Sequence, residues 1–119
     1  MARNRGSHGY QRVDRVGRVL QEIVAWELEK LSDIDERLAL LTVTDVVVKP
    51  DLTSAVVLFS SLDDGAREAL TLRRGELQRA IARRARLKRT PLLYFEVDEI
   101  LARAFEIEKV LRSHQHRDE

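Results

Sequence analysis

Arg79, Arg83 and Arg86 recur at steps of four and three, with Arg73, Arg74, Arg84, Lys88 and Arg89 around them. From Arg73 to Arg89 these eight basic residues meet one acid, Glu76. On a helix, steps of three and four bring side chains to one face, so Arg79, Arg83 and Arg86 form a stripe. The guanidinium is a planar fork of donors that fits phosphate oxygens and stacks on unpaired bases. The chemistry these residues offer is recognition of a polyanion, above all RNA. The competing reading is a solvated face that pairs with acids elsewhere in the chain. A run of this density is hard to explain by solubility alone.

A second basic stretch lies far away in sequence. Residues 3 to 18 hold five arginines and Asp14. Arg12, Arg15 and Arg18 can extend a phosphate contact along the first helix, positioning the protein without reading base sequence. The acids are gathered too. Residues 22 to 36 hold six acids and one lysine, and residues 96 to 108 hold five acids and one arginine. Net charge is only +1, from 21 basic and 20 acidic residues. A polyanion responds to the local field rather than to that total.

Other chemistries find little support. With no cysteine there is no disulfide, thiolate metal site or sulfur nucleophile. His114 and His116 stand in a polar tail with no third ligand beside them, a weak metal site. His8 is alone, and Asp45, Asp51, Asp63 and Asp64 have no glycine-rich phosphate loop. No nucleophile has a base and an orienting acid, so we expect neither catalysis nor a cofactor. No apolar run approaches the ~18 residues a membrane span requires, and residues 1 to 10 lack the apolar centre of a signal peptide.

The elements that position the basic residues follow from periodicity. The chain has the length of a single domain, 119 residues. Residues 1 to 10 are expected to be a flexible basic tail. Val13, Val16, Leu20, Ile23, Val24, Leu28 and Leu31 then make one helical stripe, with Trp26 off its centre. Leu40 to Lys49 is rich in β-branched residues and predicts a strand. Pro50-Asp51 signals a turn, and Ser54 to Leu62 is a second strand, apolar on both faces as a central strand is. Asp63 and Asp64 can cap a helix running from Ala66 to Leu87. Gly75 inside it costs ~1 kcal/mol relative to alanine and predicts a kink or break. That break permits close helix packing, or turns free N–H groups toward a phosphate. Leu93 to Val97 is a third strand; Tyr94 and Phe95 are placed like the stacking aromatics of other RNA modules, but at strand spacing Phe95 is more often core and Tyr94 stays open. Residues 100 to 112 can add a helical turn or two, and 112 to 119 form a polar tail.

The order α-β-β-α-(kink)-α-β is that of a type II KH-like fold, an α+β domain with helices on one face of a three-stranded sheet. Four stretches resemble the ribosome-binding factor A family. They are Arg15-Val16 through Ile23; Leu41 to Ser60 (LTVTDVVVKPDLTSAVVLFS); Leu72-Arg73-Arg74-Gly75 through Leu77; and Pro91, Leu93, Phe95 and Asp98, followed by Ile107 and Leu111. The resemblance spans residues 11 to 111. Two departures are visible: Arg73 stands where the family carries an alanine before the kink glycine, and Ile100 where a serine is common.

The resemblance implies a cytoplasmic, non-catalytic ribosome-assembly factor. Such a protein binds the free 30S small ribosomal subunit and its 16S rRNA and assists late maturation. That includes 5′-end processing and growth in the cold, and a ribosome-assembly GTPase promotes release. The RNA-binding residues expected are Arg73, Arg74, Gly75, Arg79, Arg83, Arg84, Arg86, Lys88 and Arg89, with Arg12, Arg15 and Arg18. No heptad run is present, so a monomer is expected. Two other readings are an RNA binder acting on other RNAs, which the missing G-x-x-G loop disfavours, and a protein-interaction domain using the acidic segments. Steep loss of binding with salt separates RNA from protein partners.

Overall fold

The computed structural model describes residues 3–100 and Leu111, with side chains from Arg12 onward. Helix α1 (Arg3–Leu31) leads through a 3-10 turn at Glu36–Leu38 into strand β1 (Val43–Val48). Strand β2 (Ser54–Phe59), helix α2 (Asp64–Arg84) and strand β3 (Leu92–Val97) follow. The sheet order is β1-β2-β3. β1 and β2 form an antiparallel hairpin, and β3 returns parallel to β2 through α2. This is an α+β architecture with β2 in the centre, as its two-sided apolar pattern requires.

Each strand buries one side. Val46 and Val48, then Ala55, Val57 and Phe59, then Leu93 and Phe95 point under the helices, whereas Val47 and Tyr94 are exposed. The helical stripe of α1 supplies Leu20, Ile23, Val24, Leu28 and Leu31 to the same core, and α2 adds Ala69, Leu70, Leu77, Ala80 and Ile81. No buried polar residue interrupts this core among the described residues. Gly17 sets the approach of α1 to the sheet. A Cβ there would lie 2.8 Å from the Val46 carbonyl oxygen, so only glycine lets the helix backbone come this close to β1.

Several expectations are corrected in detail. α2 runs unbroken through Gly75, so the anticipated pair of helices joined by a kink is one helix of 21 residues. Gly75 has no positive φ. The ~1 kcal/mol cost of an interior glycine is small beside the burial of Leu70 and Leu77 in the flanking turns. α1 takes in residues 3–10, which carry no apolar stripe; extending a formed helix costs far less than starting one. β1 begins at Val43, and Leu40 is 89% exposed before it. Of the segment 100–112 only Ile100 and Leu111 are described. The tail 112–119, with His114 and His116, lies outside the described residues.

Local chemistry explains where α2 starts and stops. Asp63 caps its N-terminus, with Oδ1 accepting from the Ala66 N–H at 2.7 Å. At the other end Ala85 is extended, at φ −93° and ψ 137°, while its N–H still donates to Ile81. The chain therefore leaves the helix at Ala85 and carries Arg86 to Arg89 away from the α2 axis.

Candidate RNA-binding surface

α1 and α2 lie antiparallel. Near the start of α2, Glu68 pairs with Arg37 of the 3-10 turn that follows α1, at 3.8 Å. At the opposite end, Arg15, Val16, Val19 and Leu20 of α1 face Ala85, Arg86 and Leu87 across one groove. This arrangement joins two basic segments that are about sixty residues apart in sequence. Arg12, Arg15 and Arg18 come from the first half of α1. Arg79, Arg83 and Arg84 come from the last turns of α2, and Arg86, Lys88 and Arg89 from the segment beyond it.

All nine are exposed, and none forms an ion pair among the described residues. Instead, the pairs form elsewhere. Lys30 meets Glu27 at 3.1 Å, and Arg37 meets Asp35 at 2.7 Å and Glu68 at 3.8 Å. The end formed by the α1 C-terminus, the 3-10 turn and the start of α2 carries Glu29, Asp33, Glu36, Asp63 and Asp64 as well. The described residues are thus charge-polarised, basic at one end and acidic at the other. At the acidic end the Arg37 guanidinium holds the Asp35 carboxyl down to about 2, from an ordinary 3.8.

Three expected residues lie apart from the basic end. Arg73 donates to Glu76 Oε1 at 2.8 Å and its side chain is 27% exposed. Arg74 turns toward β3, its guanidinium carbon 5.9 Å from the Tyr94 ring centre and 5.7 Å from that of Phe95. Its Nε is buried without a hydrogen-bond partner. Together with Arg67, which donates to the Phe95 carbonyl, and Gln78, which accepts from Leu93 N–H, Arg74 covers the outer edge of β3. Gly75 sits mid-helix. The break that would have exposed free N–H groups to a phosphate is absent, so that role for Gly75 is withdrawn. The position instead leaves room for Arg79, whose Nη1 lies 3.3 Å from where a Cβ would stand.

Val19 and Leu87 belong to the apolar floor between the arginines. Val19 lies off the α1 stripe and gives no signal in the sequence, whereas Leu87 reads as a core-facing residue and does pack against the core. A second groove, of about 350 Å³, runs between α1 and β1 and is larger. It presents Asp14 and Asp45 beside Arg18, so Arg18 stands at the border between the basic end and a groove of mixed charge. Among the described residues no three His, Asp or Glu side chains gather as a metal site. No described helix is long and apolar enough to cross a membrane.

Known proteins share this sequence and this fold. The family model for ribosome-binding factor A matches residues 12–111. A ribosome-binding factor A from Rubrobacter xylanophilus is 43% identical over 97 residues, covering 78% of this chain and 79% of the relative. One from Bifidobacterium longum is 36% identical over 117 residues, covering 91% and 74%. Among solved structures, ribosome-binding factor A from Thermus thermophilus superposes with a TM-score of 0.63 at 33% identity, covering 70% of this chain and 92% of that one. A Thermus thermophilus RbfA homology model fitted into the cryo-EM map of a 30S–RbfA complex gives 0.54 at 36% identity, covering 64% and 84%. By the match across nearly its whole length, the chain belongs to the ribosome-binding factor A family.

Proposed function

We propose that this protein is a ribosome-assembly factor that docks its basic end on the RNA of the free small ribosomal subunit. The observation that carries the reading is the meeting of Arg15 of α1 with Arg86 beyond α2 across one groove, within two segments that hold nine exposed cations without an ion pair among the described residues. The Thermus relative fitted into a 30S–RbfA complex supports the choice of partner.

The mechanism is binding without catalysis. Arg79, Arg83, Arg84, Arg86, Lys88 and Arg89 meet backbone phosphates of 16S rRNA, and Arg12, Arg15 and Arg18 extend the footprint along α1. Contacts of this kind fix register and orientation. The acidic end faces away from the RNA and disfavours docking in the reversed orientation. The protein then holds one RNA arrangement over its competitors by binding that arrangement more tightly. In this reading Arg73 and Arg74 hold the helix and sheet edge in place rather than touch RNA. Processing of the 16S rRNA 5′ end, growth in the cold and release by a GTPase are the roles this placement would serve. The protein acts as a monomer in the cytoplasm, and it needs no cofactor.

The test is co-sedimentation of purified protein with purified 30S subunits. Replacing Arg79, Arg83 and Arg86 with glutamate should abolish association while circular dichroism and melting stay unchanged. Undiminished association of that triple variant would refute the assignment.

A further inference from the structure

The basic end is not only charged. The groove between α1 and the segment after α2 holds about 160 Å³, roughly the space of five waters at ~30 Å³ each. Its floor is apolar: Val16, Val19 and Leu20 on one side, Ala85 and Leu87 on the other. Val19 is 40% exposed, so this lining is open to solvent. Arg15 stands on the α1 wall and Arg86 on the opposite wall. A surface that met only phosphates would have no use for an apolar floor between two arginines.

We propose that this groove takes one unpaired nucleobase, with Arg15 and Arg86 holding the phosphates on its two sides. The inference rests on the RNA-binding reading above and adds that the RNA is single-stranded where it meets the groove. A base still paired in a duplex keeps its faces stacked and cannot enter, whereas a base in a loop or at a strand end can be splayed out. The charge around the groove selects a polyanion, and the apolar floor selects the flat, weakly hydrated face of the base.

The open face of the sheet is the other place where a base could rest, and its charge argues against it. Val47, Val56 and Tyr94 form an apolar row there, but Asp45, Leu58 and Glu96 make the adjacent row. Glu96 is paired with Arg67 at 3.6 Å and the Arg74 guanidinium lies against Tyr94, so the arginines of that face are already engaged, and Asp45 adds a negative charge.

The experiment compares two probes of equal length and charge: an oligouridylate, and the same ribose-phosphate strand with its bases removed. Anisotropy of labelled strands at low salt gives both affinities. The proposal predicts that the intact strand binds about tenfold more tightly, the scale of one sequestered base. A Val19→Lys variant then separates base from charge. Its alkyl stem covers the apolar floor while its ammonium adds a positive charge. Affinity for the abasic strand should hold or rise, and the ratio between the strands should fall toward one. Melting should be unchanged, because Val19 is a surface residue. Equal binding of both strands by the unmodified protein would overturn the groove assignment while leaving phosphate binding intact. A ratio that survives Val19→Lys would place the base elsewhere and overturn it too. Binding of neither strand would overturn both this proposal and the RNA-binding reading beneath it.

Discussion

The nine cations at the basic end, none ion-paired among the described residues, set the scale of the salt dependence of RNA binding. Each phosphate contact with a single strand contributes about 0.7 to the slope of log affinity against log salt. Nine contacts would therefore give a slope of about −6. Replacing Arg79, Arg83 and Arg86 together with alanine should make the slope shallower by about 2. Replacing Arg73 and Arg74 with alanine should leave it unchanged, because Arg73 is held by Glu76 and Arg74 lies against Tyr94 and Phe95. The assay is fluorescence anisotropy of a labelled single-stranded RNA titrated at a series of potassium chloride concentrations. Alanine is preferred to glutamate here because it removes a contact without adding repulsion. A slope that does not change in the triple variant would refute the reasoning. So would an equal loss of slope in the Arg73 and Arg74 variant, since it would mean that internally engaged arginines meet phosphates.

Three further outcomes follow from the fold. Gly17→Ala should destabilise the protein by about 1–3 kcal/mol, the usual range for overpacking, because the new methyl meets the Val46 carbonyl; urea denaturation reads this, and an unchanged midpoint would contradict the close approach. Gly75→Ala should raise stability by up to about 1 kcal/mol, since the helix is continuous there and only the flexible Arg79 guanidinium must move; a lowered midpoint would contradict an unbroken α2. Asp35 has its carboxyl held at about 2 against an ordinary 3.8, mainly by the Arg37 side chain. Its contribution is complete above the ordinary value and is lost as pH falls through the lower one. Asp35→Asn should therefore flatten part of the fall in melting temperature across that window, and an identical acid profile would contradict the pairing.

Much of this was legible in the amino-acid order, and the failures have physical causes. β-branched runs around Pro50-Asp51 announced a hairpin, and the two-sided apolar pattern of residues 54–59 placed β2 in the centre. The α1 stripe pointed to its buried face correctly. The basic run at 79–89 was visible as density alone, but its union with Arg12, Arg15 and Arg18 needed the antiparallel packing of α1 and α2. Gly75 misled because a glycine's intrinsic penalty carries no information about the tertiary burial on either side of it. Arg73 and Arg74 read as part of the RNA-binding run, yet each lies three or four residues from both Leu70 and Leu77. They therefore straddle the buried stripe of α2, one turned toward Glu76 and the other toward β3. Gly17 offered a signal that went unused: it falls on the apolar stripe, four residues after Val13 and three before Leu20, where a missing side chain marks a close backbone approach.

Sucrose-gradient sedimentation of cell lysate, probed for this protein across the fractions, tests the central claim most directly. The protein should travel with free small subunits at low salt, leave them as salt is raised, and be absent from translating ribosomes. A protein that stays at the top of the gradient at low salt would contradict it, and the basic end would then belong to another ligand.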